Sequence, residues 1–217
     1  MRFAAARRDA VPNGSVTPES ESTRERILRR VTEKLARSGL AGTGLRDLAA
    51  AAGVSHRTLL YHFGSRDGLV LEALRELRDY QYGLVAGMLS DPNGRPEVSD
   101  LARGVWKNIT GDDTHDWFKL FYEAYVASLR DAETYSEFLE GAVHRWVDVI
   151  QAIFEEDRPH LAENESATLL LATIRGLHLD LLATGDRARV ERALETLLQL
   201  LALAPSARRS GSHDDDA

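Results

Sequence analysis

The chain has 217 residues, of which 43% are hydrophobic, and it has no cysteine and a formal net charge of −7. The absence of cysteine excludes disulfides and thiolate metal sites, which suits a reducing compartment. The chain also lacks an uncharged apolar run of about 18 residues and the apolar stretch of a signal peptide, so we expect a cytoplasmic protein that has no membrane partner.

Charge is divided unevenly along the chain. Residues 1–75 hold 13 Arg and Lys against 8 Asp and Glu, a net of +5, whereas residues 76–217 hold 14 against 26, a net of −12. A small nucleic-acid-binding module joined to an acidic body has this polarity, because phosphate neutralisation is needed only on the binding face. Chance asymmetry is the alternative, and the charge alone does not decide between them.

The N-terminal segment begins without periodicity. Residues 1–20 mix Ala, Arg, Pro, Gly and Ser, and we predict a disordered arm there. The basic residues of this arm are Arg2, Arg7 and Arg8. They could reach a minor groove, although a solvated tail is the simpler interpretation. Ser22 and Glu25 then form the capping-box pattern that begins a helix, and Gly39 is placed to end it.

Residues 43–69 predict two short helices joined by a tight turn. In the first, apolar residues recur at helical spacing: Leu45, Leu48, Ala49 and Ala52. Thr43 can cap this helix, Gly53 can end it in the left-handed conformation, and Ser55 can cap the second. Leu59 and Phe63, four residues apart, would face the first helix. The pattern is that of a helix-turn-helix.

The second helix leaves a polar face toward solvent that suits the major groove of DNA. We predict base contacts from His56, Arg57 and Thr58, with the capping residue Ser55 beside them. Phosphate contacts are predicted from residues around that face: Thr43, Arg46, Tyr61, His62 and Arg66. Arg66 is included because it begins the next helix, where backbone N–H groups also attract an anion.

The segment from Val54 to Leu69 resembles the signature of the TetR family of transcriptional regulators. That signature has a valine–serine turn, a leucine, two aromatics, a histidine or tyrosine, a phenylalanine, and a serine–lysine pair that begins the fourth helix. The chain departs from it at Leu60, where an aromatic is usual, and at Arg66, where lysine is commoner. The resemblance covers residues 23–75 with specific motifs; the rest matches in length and helical pattern.

The C-terminal two thirds predict further helices. The fourth helix runs from Ser65 to about Met88, and a Pro- and Gly-containing break follows at residues 90–96. Five helical segments come next: about 98–109, 114–129, 132–154, 165–183 and 187–203. The chain is therefore predicted to be all-α, with a disordered arm (1–20), a helix-turn-helix DNA-binding domain (21–66), a helical effector-binding and dimerisation domain (67–204) and a disordered tail (205–217).

Leucine stripes occupy more than one face of the segments near 132–154 and 165–183. The resemblance implies that these two segments pair with their copies in a homodimer. A protein that recognises two DNA half-sites needs such a dimer, because each half-site binds one DNA-binding domain. A single-chain core that uses both faces is the alternative, and we favour the dimer.

Aromatic residues cluster in the segments near 98–109 and 114–129, where they could line a pocket for a small organic effector or simply form core: Trp106, Trp117, Phe118, Phe121, Tyr122 and Tyr125. Arg175 and His178 lie three apart on one helical face and could bind a polar group of that effector. An interface salt bridge involving Asp180 is the competing interpretation.

Catalytic and metal-binding patterns are absent from the sequence, and we predict no enzyme activity, no cofactor and no metal site. The resemblance implies a regulator, most simply a repressor, that binds a palindromic operator in double-stranded DNA and is released by its effector. The rival hypothesis is a helical ligand-carrying or protein-binding module whose sequence-specific DNA binding has been lost.

Overall fold

The computed structural model describes residues 22–90, 96–112, 114–161 and 164–203, without the side chains of residues 160 and 164. Within these ranges the chain is helical and contains no strand, which confirms the all-α prediction. The predicted disordered arm, with Arg2, Arg7 and Arg8, and the predicted tail lie outside the described residues.

Ten α-helices follow one another in the described ranges: α1 (Thr23–Ser38), α2 (Leu45–Ala52), α3 (His56–Phe63), α4 (Arg66–Leu89), α5 (Val98–Ile109), α6 (His115–Ser128), α7 (Ser136–Leu139), α8 (Arg145–Asp157), α9 (Asn164–Thr184) and α10 (Arg187–Leu203). A π-helical turn, Glu140–His144, joins α7 to α8, and a 3-10 turn, Pro159–Leu161, follows α8.

The chain divides into two compact units, residues 1–145 and residues 146–217. The first contains α1 to α7; the second contains α8, from its second residue, with α9 and α10. The predicted functional boundary at residue 66 stays a prediction, since this division follows compactness alone.

The first three helices bury an apolar core from the positions that the periodicity indicates. Leu35 of α1, Leu48 of α2 and Leu59 of α3 are completely buried. The capping box is confirmed, because the Ser22 hydroxyl accepts a hydrogen bond from the Glu25 N–H (3.2 Å) and the Ser22 N–H donates to the Glu25 carboxylate (2.9 Å). Local capping and apolar burial together hold α1 across the helix-turn-helix.

The turn between α2 and α3 is also as predicted. Gly53 ends α2 in the left-handed region, with φ 69° and ψ 33°, a conformation that costs glycine little. The Ser55 hydroxyl accepts from the Thr58 N–H at 3.0 Å and so caps α3. The start and direction of α3 are therefore set by residues within the motif itself.

The predicted cap at Thr43 is wrong. Gly44 occupies the N-cap position of α2, and its N–H donates to the Asp47 carboxylate at 3.0 Å. Thr43 is only 5% exposed, and its hydroxyl donates to the Gly39 carbonyl at 2.8 Å. Because that carbonyl lies at the end of α1, the hydroxyl stabilises the preceding helix end and does not cap the next helix.

The single helix predicted near 132–154 is wrong in its continuity. The helical segment begins at Ser136, and a π-helical turn interrupts it before α8. At this turn the Tyr82 hydroxyl donates to the Gly141 carbonyl at 2.6 Å. A Cβ added to Gly141 would lie 2.5 Å from the Arg78 Cδ, so the Arg78 side chain of α4 packs directly against the turn. Long-range contacts with α4 therefore accompany the change of helical register.

The second unit contains a helical hairpin formed by α9 and α10. Gly185 ends α9 with φ 70°, and Asp186 caps α10 by accepting from the Arg189 N–H at 3.1 Å. The Arg189 guanidinium also binds the Asp180 carboxylate through two hydrogen bonds of 2.7 and 2.8 Å. In the described residues one segment, Glu165–Thr184, is long and apolar enough to cross a membrane, although only 22% of it is buried within the chain.

Candidate nucleic-acid interface

Helix α3 has a polar face toward solvent and an apolar side toward the core. His56 and Arg57 are exposed at its first turn, and Tyr61 one turn later is 84% exposed. Leu59 on the opposite side is completely buried and fixes α3 to the core. A short helix held in this way can enter a major groove with its N-terminal residues toward the base edges.

The other predicted contacts on α3 are partly engaged with their neighbours. The hydroxyls of Ser55 and Thr58 share a hydrogen bond of 2.8 Å. The ring of His62 packs edge-to-face on Tyr61, with ring centres 5.2 Å apart, and lies 6.2 Å from the ring of Phe63. These contacts order the polar face of α3 before any ligand binds.

Two of the predicted phosphate contacts face the protein. The Arg66 Nε donates to the Thr43 carbonyl at 3.0 Å, and its Nη2 donates to the Leu40 carbonyl at 2.6 Å. Thr43 is buried, as described above. Arg46, by contrast, is exposed on α2. Arg46 on α2 and His56, Arg57 and Tyr61 on α3 are thus exposed, whereas Thr43 and Arg66 bond backbone carbonyls of residues 39–43.

Sequence reasoning missed Arg24. Its guanidinium lies 4.9 Å from the centre of the Phe63 ring and forms an ion pair of 3.0 Å with Glu72. Arg24 thereby joins α1 to the last residue of α3 and to α4. No local signal in the sequence pairs these three residues, which lie far apart along the chain.

The predicted aromatic cluster lies within the first unit, on α5 and α6. Trp106, Trp117, Phe118 and Phe121 are each less than 10% exposed, while Tyr122 and Tyr125 are half-buried. The ring centre of Phe121 lies 5.4 Å from that of Tyr122, 5.9 Å from that of Tyr125 and 5.4 Å from that of Phe138.

Phe138, from α7, was not predicted as a member of this cluster, because its sequence neighbours carry no pocket signal. Such a cluster can stack against a flat apolar molecule or can serve as core.

The predicted polar partners of the cluster lie in the second unit, on α9. Arg175 is half-buried and His178 is 1% exposed. The competing interpretation was an interface salt bridge of Asp180, and the carboxylate is bound by Arg189 of the same chain. An effector-binding role for Arg175 and His178 stays a prediction.

A capped, solvent-facing helix on a three-helix core defines a helix-turn-helix protein of the kind that regulates transcription. A family model described as "Bacterial regulatory proteins, tetR family" matches residues 27–73. The HTH-type transcriptional repressor KstR2 of Mycolicibacterium smegmatis is 36% identical over 62 residues. That match covers 29% of this chain and spans only 30% of the length of KstR2.

Solved structures extend the similarity beyond this motif. A TetR-family member from Streptomyces coelicolor A3 is 30% identical, with a TM-score of 0.63, over 83% of this chain and 98% of that one. The multidrug binding protein EbrR, complexed with ethidium, is 29% identical, with a TM-score of 0.62, over 83% of this chain and 99% of that one. The chain belongs to the TetR family of transcriptional regulators, whose members bind DNA and are not enzymes.

Proposed function

We propose that the protein is a cytoplasmic, ligand-responsive repressor that binds a palindromic operator as a homodimer and leaves it when a small organic effector binds. The observation that carries the proposal is α3 itself. His56, Arg57 and Tyr61 are exposed on it, while Ser55 caps its start and Leu59 anchors it in the core. A rigid helix with this face has the form that reads base edges.

The proposed contacts divide into two kinds. His56, Arg57 and Thr58 lie at the N-terminal end of α3, where side chains reach base edges. Arg46, Tyr61 and His62 lie around them and suit the phosphates, which position the protein without reading sequence. Arg57 has the donor geometry for guanine, so it is the first residue to test for base recognition.

Homodimerisation is supported by apolar side chains that the isolated chain leaves in water. Four leucines on α9 and α10 are at least half exposed: Leu169 (56%), Leu179 (50%), Leu200 (61%) and Leu203 (78%). Helix α8 has no comparably exposed large apolar residue among those described. We therefore propose that α9 and α10, and not the segment near 132–154, pair with their copies in a four-helix interface.

Burial in a membrane is the alternative explanation for the exposed apolar residues of α9. The middle of this helix carries Arg175 and Asp180, and Asp180 is held by Arg189 of α10. Charged groups inside a bilayer are costly, and α10 exposes leucines beside charged residues on the same helix. A second copy of the chain therefore explains the exposed apolar surface better than lipid.

The effector is proposed to stack on the aromatic cluster of α5 and α6. EbrR, a relative that binds multiple drugs, is complexed with ethidium, a flat aromatic cation. A flat aromatic molecule would find matching faces in Phe121, Tyr122 and Tyr125. Binding releases the operator if it favours a spacing of the two α3 helices that the operator does not fit.

The rival function is a ligand-carrying or protein-binding module without sequence-specific DNA binding. In such a module α3 would not be expected to keep its DNA-contacting residue types together. The exposed face instead keeps Arg57, Tyr61 and His62 together on a capped helix. This combination favours the DNA-binding function.

A binding titration tests the proposal. Purified protein is titrated against duplex fragments that flank its own gene, with random duplex as competitor and near-physiological salt. Specific sites are typically 10³–10⁷-fold tighter than random DNA. A tight, competitor-resistant complex supports the proposal and provides an assay for effectors by release. Equal, salt-sensitive binding to every duplex, followed by failure of a random-sequence selection, would favour the ligand carrier.

A further inference from the structure

The loop between α1 and α2, residues 39–44, is held from two sides. On one side the Leu40 N–H donates a hydrogen bond to the Glu123 carboxylate of α6. On the other, the Leu40 carbonyl accepts from Arg66 Nη2 (2.6 Å), and Arg66 Nε donates to the Thr43 carbonyl (3.0 Å). Both polar backbone groups of Leu40 are therefore bound by charged side chains from other helices.

Gly39 is fitted to this arrangement. Its φ is +74°, a conformation that favours glycine, and a Cβ added there would lie 2.6 Å from the Glu123 Oε1. The carboxylate thus occupies the space that any other side chain at residue 39 would need. Close packing and a charge-assisted hydrogen bond act on the same short stretch of backbone.

The position of the loop determines where the DNA-facing helices lie. The loop leads directly into α2, and α2 leads through the Gly53 turn into α3. Arg66 is the first residue of α4, which follows α3. Glu123 therefore joins the loop that enters the helix-turn-helix to α6. Arg66 joins the same loop to α4, the helix that follows the helix-turn-helix.

We propose that Glu123 and Arg66 are positioning residues for operator binding, which act through the 39–44 loop and make no contact with DNA. The proposal rests on the proposed function, because it concerns how α3 is presented to DNA. It reassigns Arg66 from a phosphate contact to an internal one. It also gives a carboxylate on an acidic helix a role in binding a polyanion, the opposite of what its charge alone would do.

Two substitutions of Glu123 separate geometry from charge. Glu123→Gln and Glu123→Leu remove the same negative charge, but glutamine keeps an oxygen that can accept from the Leu40 N–H. We expect Glu123→Gln to bind operator within about threefold of the wild type and Glu123→Leu to bind about tenfold more weakly, the cost of one partly buried hydrogen bond. Equal affinities for the two variants, or tighter binding by both, would overturn the positioning role of Glu123.

The salt dependence of binding tests Arg66. Loss of one phosphate contact lowers the slope of log K against log salt by about 0.9. We expect Arg66→Leu to weaken operator binding with an unchanged slope, whereas Arg46→Leu, at an exposed position, lowers the slope. A lower slope for Arg66→Leu, matching that of Arg46→Leu, would return Arg66 to the phosphate contacts and overturn its positioning role.

Hydrogen exchange of the Leu40 amide provides a readout without DNA. We expect slow exchange in the wild type and in Glu123→Gln, and fast exchange in Glu123→Leu while the core amides of α1 stay protected. A Leu40 amide that exchanges freely in the wild type would reject the Glu123 contact whatever the DNA result.

The combined results separate the two proposals. If the Leu40 amide is protected but the protein binds no duplex specifically, the proposed function fails and the positioning role fails with it. Specific binding that is equal in the leucine and glutamine variants rejects the positioning role alone.

Discussion

The guanidinium of Arg24 lies over the ring of Phe63, 4.9 Å from its centre, and joins the first turn of α1 to the last residue of α3. The same guanidinium pairs with Glu72 at 3.0 Å, and Glu72 pairs with Arg75 at 2.8 Å. Arg75 in turn binds Glu137 of α7 at 2.7 Å, and this pairing raises the pKa of Arg75. A chain of charged contacts thus runs along α4 from the end of α3 to α7.

Replacement of Arg24 by leucine should lower the free energy of unfolding by about 1 kcal/mol, because an exposed cation–π contact and one partly exposed ion pair are lost. Denaturant titration of the purified variant measures this change. Arg26→Leu, in the same turn of α1, is the control, since the Arg26 guanidinium bonds only to Thr23 among its described hydrogen bonds (3.3 Å). Equal stabilities of the two variants would contradict a tie between α1 and α3.

Arg57→Ala should weaken binding to the operator by about 1–3 kcal/mol and relax specificity at one base position, because Arg57 is proposed to bind a base edge. Anisotropy titrations with operator and with single-base variants of it measure both effects. A loss that is the same on operator and on random duplex would contradict base reading.

Tyr61→Ala is the matched contrast on the same helix. Because Tyr61 is 84% exposed, its removal should change the free energy of unfolding by less than about 0.5 kcal/mol. Affinity should fall on every duplex, as expected when a phosphate contact is lost. If instead only one base position were affected, Tyr61 would belong among the base contacts.

Local sequence features predicted much of the fold. Helix α1 starts and ends where Ser22 and Gly39 predict, and α3 starts at the Ser55 cap, because caps and left-handed glycines act within a few residues. The buried leucines of α1 to α3 were also predictable, because the spacing of apolar residues along a helix shows which side faces the core. The helix-turn-helix itself could therefore be predicted from residues 43–69 alone, whereas its contacts with DNA stay a prediction.

The inward direction of Thr43 and Arg66 could not be predicted in this way. Both side chains bond backbone carbonyls of the 39–44 region, and the loop is bound by Glu123, which lies 83 positions from Leu40. The π-helical turn at Gly141 likewise accepts a hydrogen bond from Tyr82, which lies 59 positions earlier. Such contacts are set by tertiary packing, which overrides local pattern.

Leu179→Glu should convert the proposed dimer into a monomer at micromolar concentration, because it places a charge at an exposed apolar position of α9, a helix proposed to pair with a second copy. Analytical ultracentrifugation at several concentrations measures the mass. Leu129→Glu is the control: Leu129 is 78% exposed at the end of α6, outside the proposed interface, so this variant should stay dimeric. A dimeric Leu179→Glu protein would place the interface elsewhere.

The ion pair between Asp180 and Arg189 predicts a specific response of stability to acid. Hydrogen bonds from Arg189, with its positive charge, hold the pKa of Asp180 below its ordinary value. In the unfolded chain this carboxylate returns to a pKa of about 4. The folded state therefore binds fewer protons between these two pKa values, and the stabilisation is fully present above the unfolded pKa and is lost as pH falls through the folded one.

Asp180→Asn lacks this contribution at neutral pH, so its free energy of unfolding should lie below that of the wild type by a constant amount above about pH 5. The difference should narrow as pH falls below about 4, because the wild type alone loses the ion pair there. Denaturant titrations at fixed protein concentration between these pH values measure the two curves. A curve for Asp180→Asn that stays parallel to that of the wild type would contradict an acid-sensitive contribution of the pair to the stability of the α9–α10 hairpin.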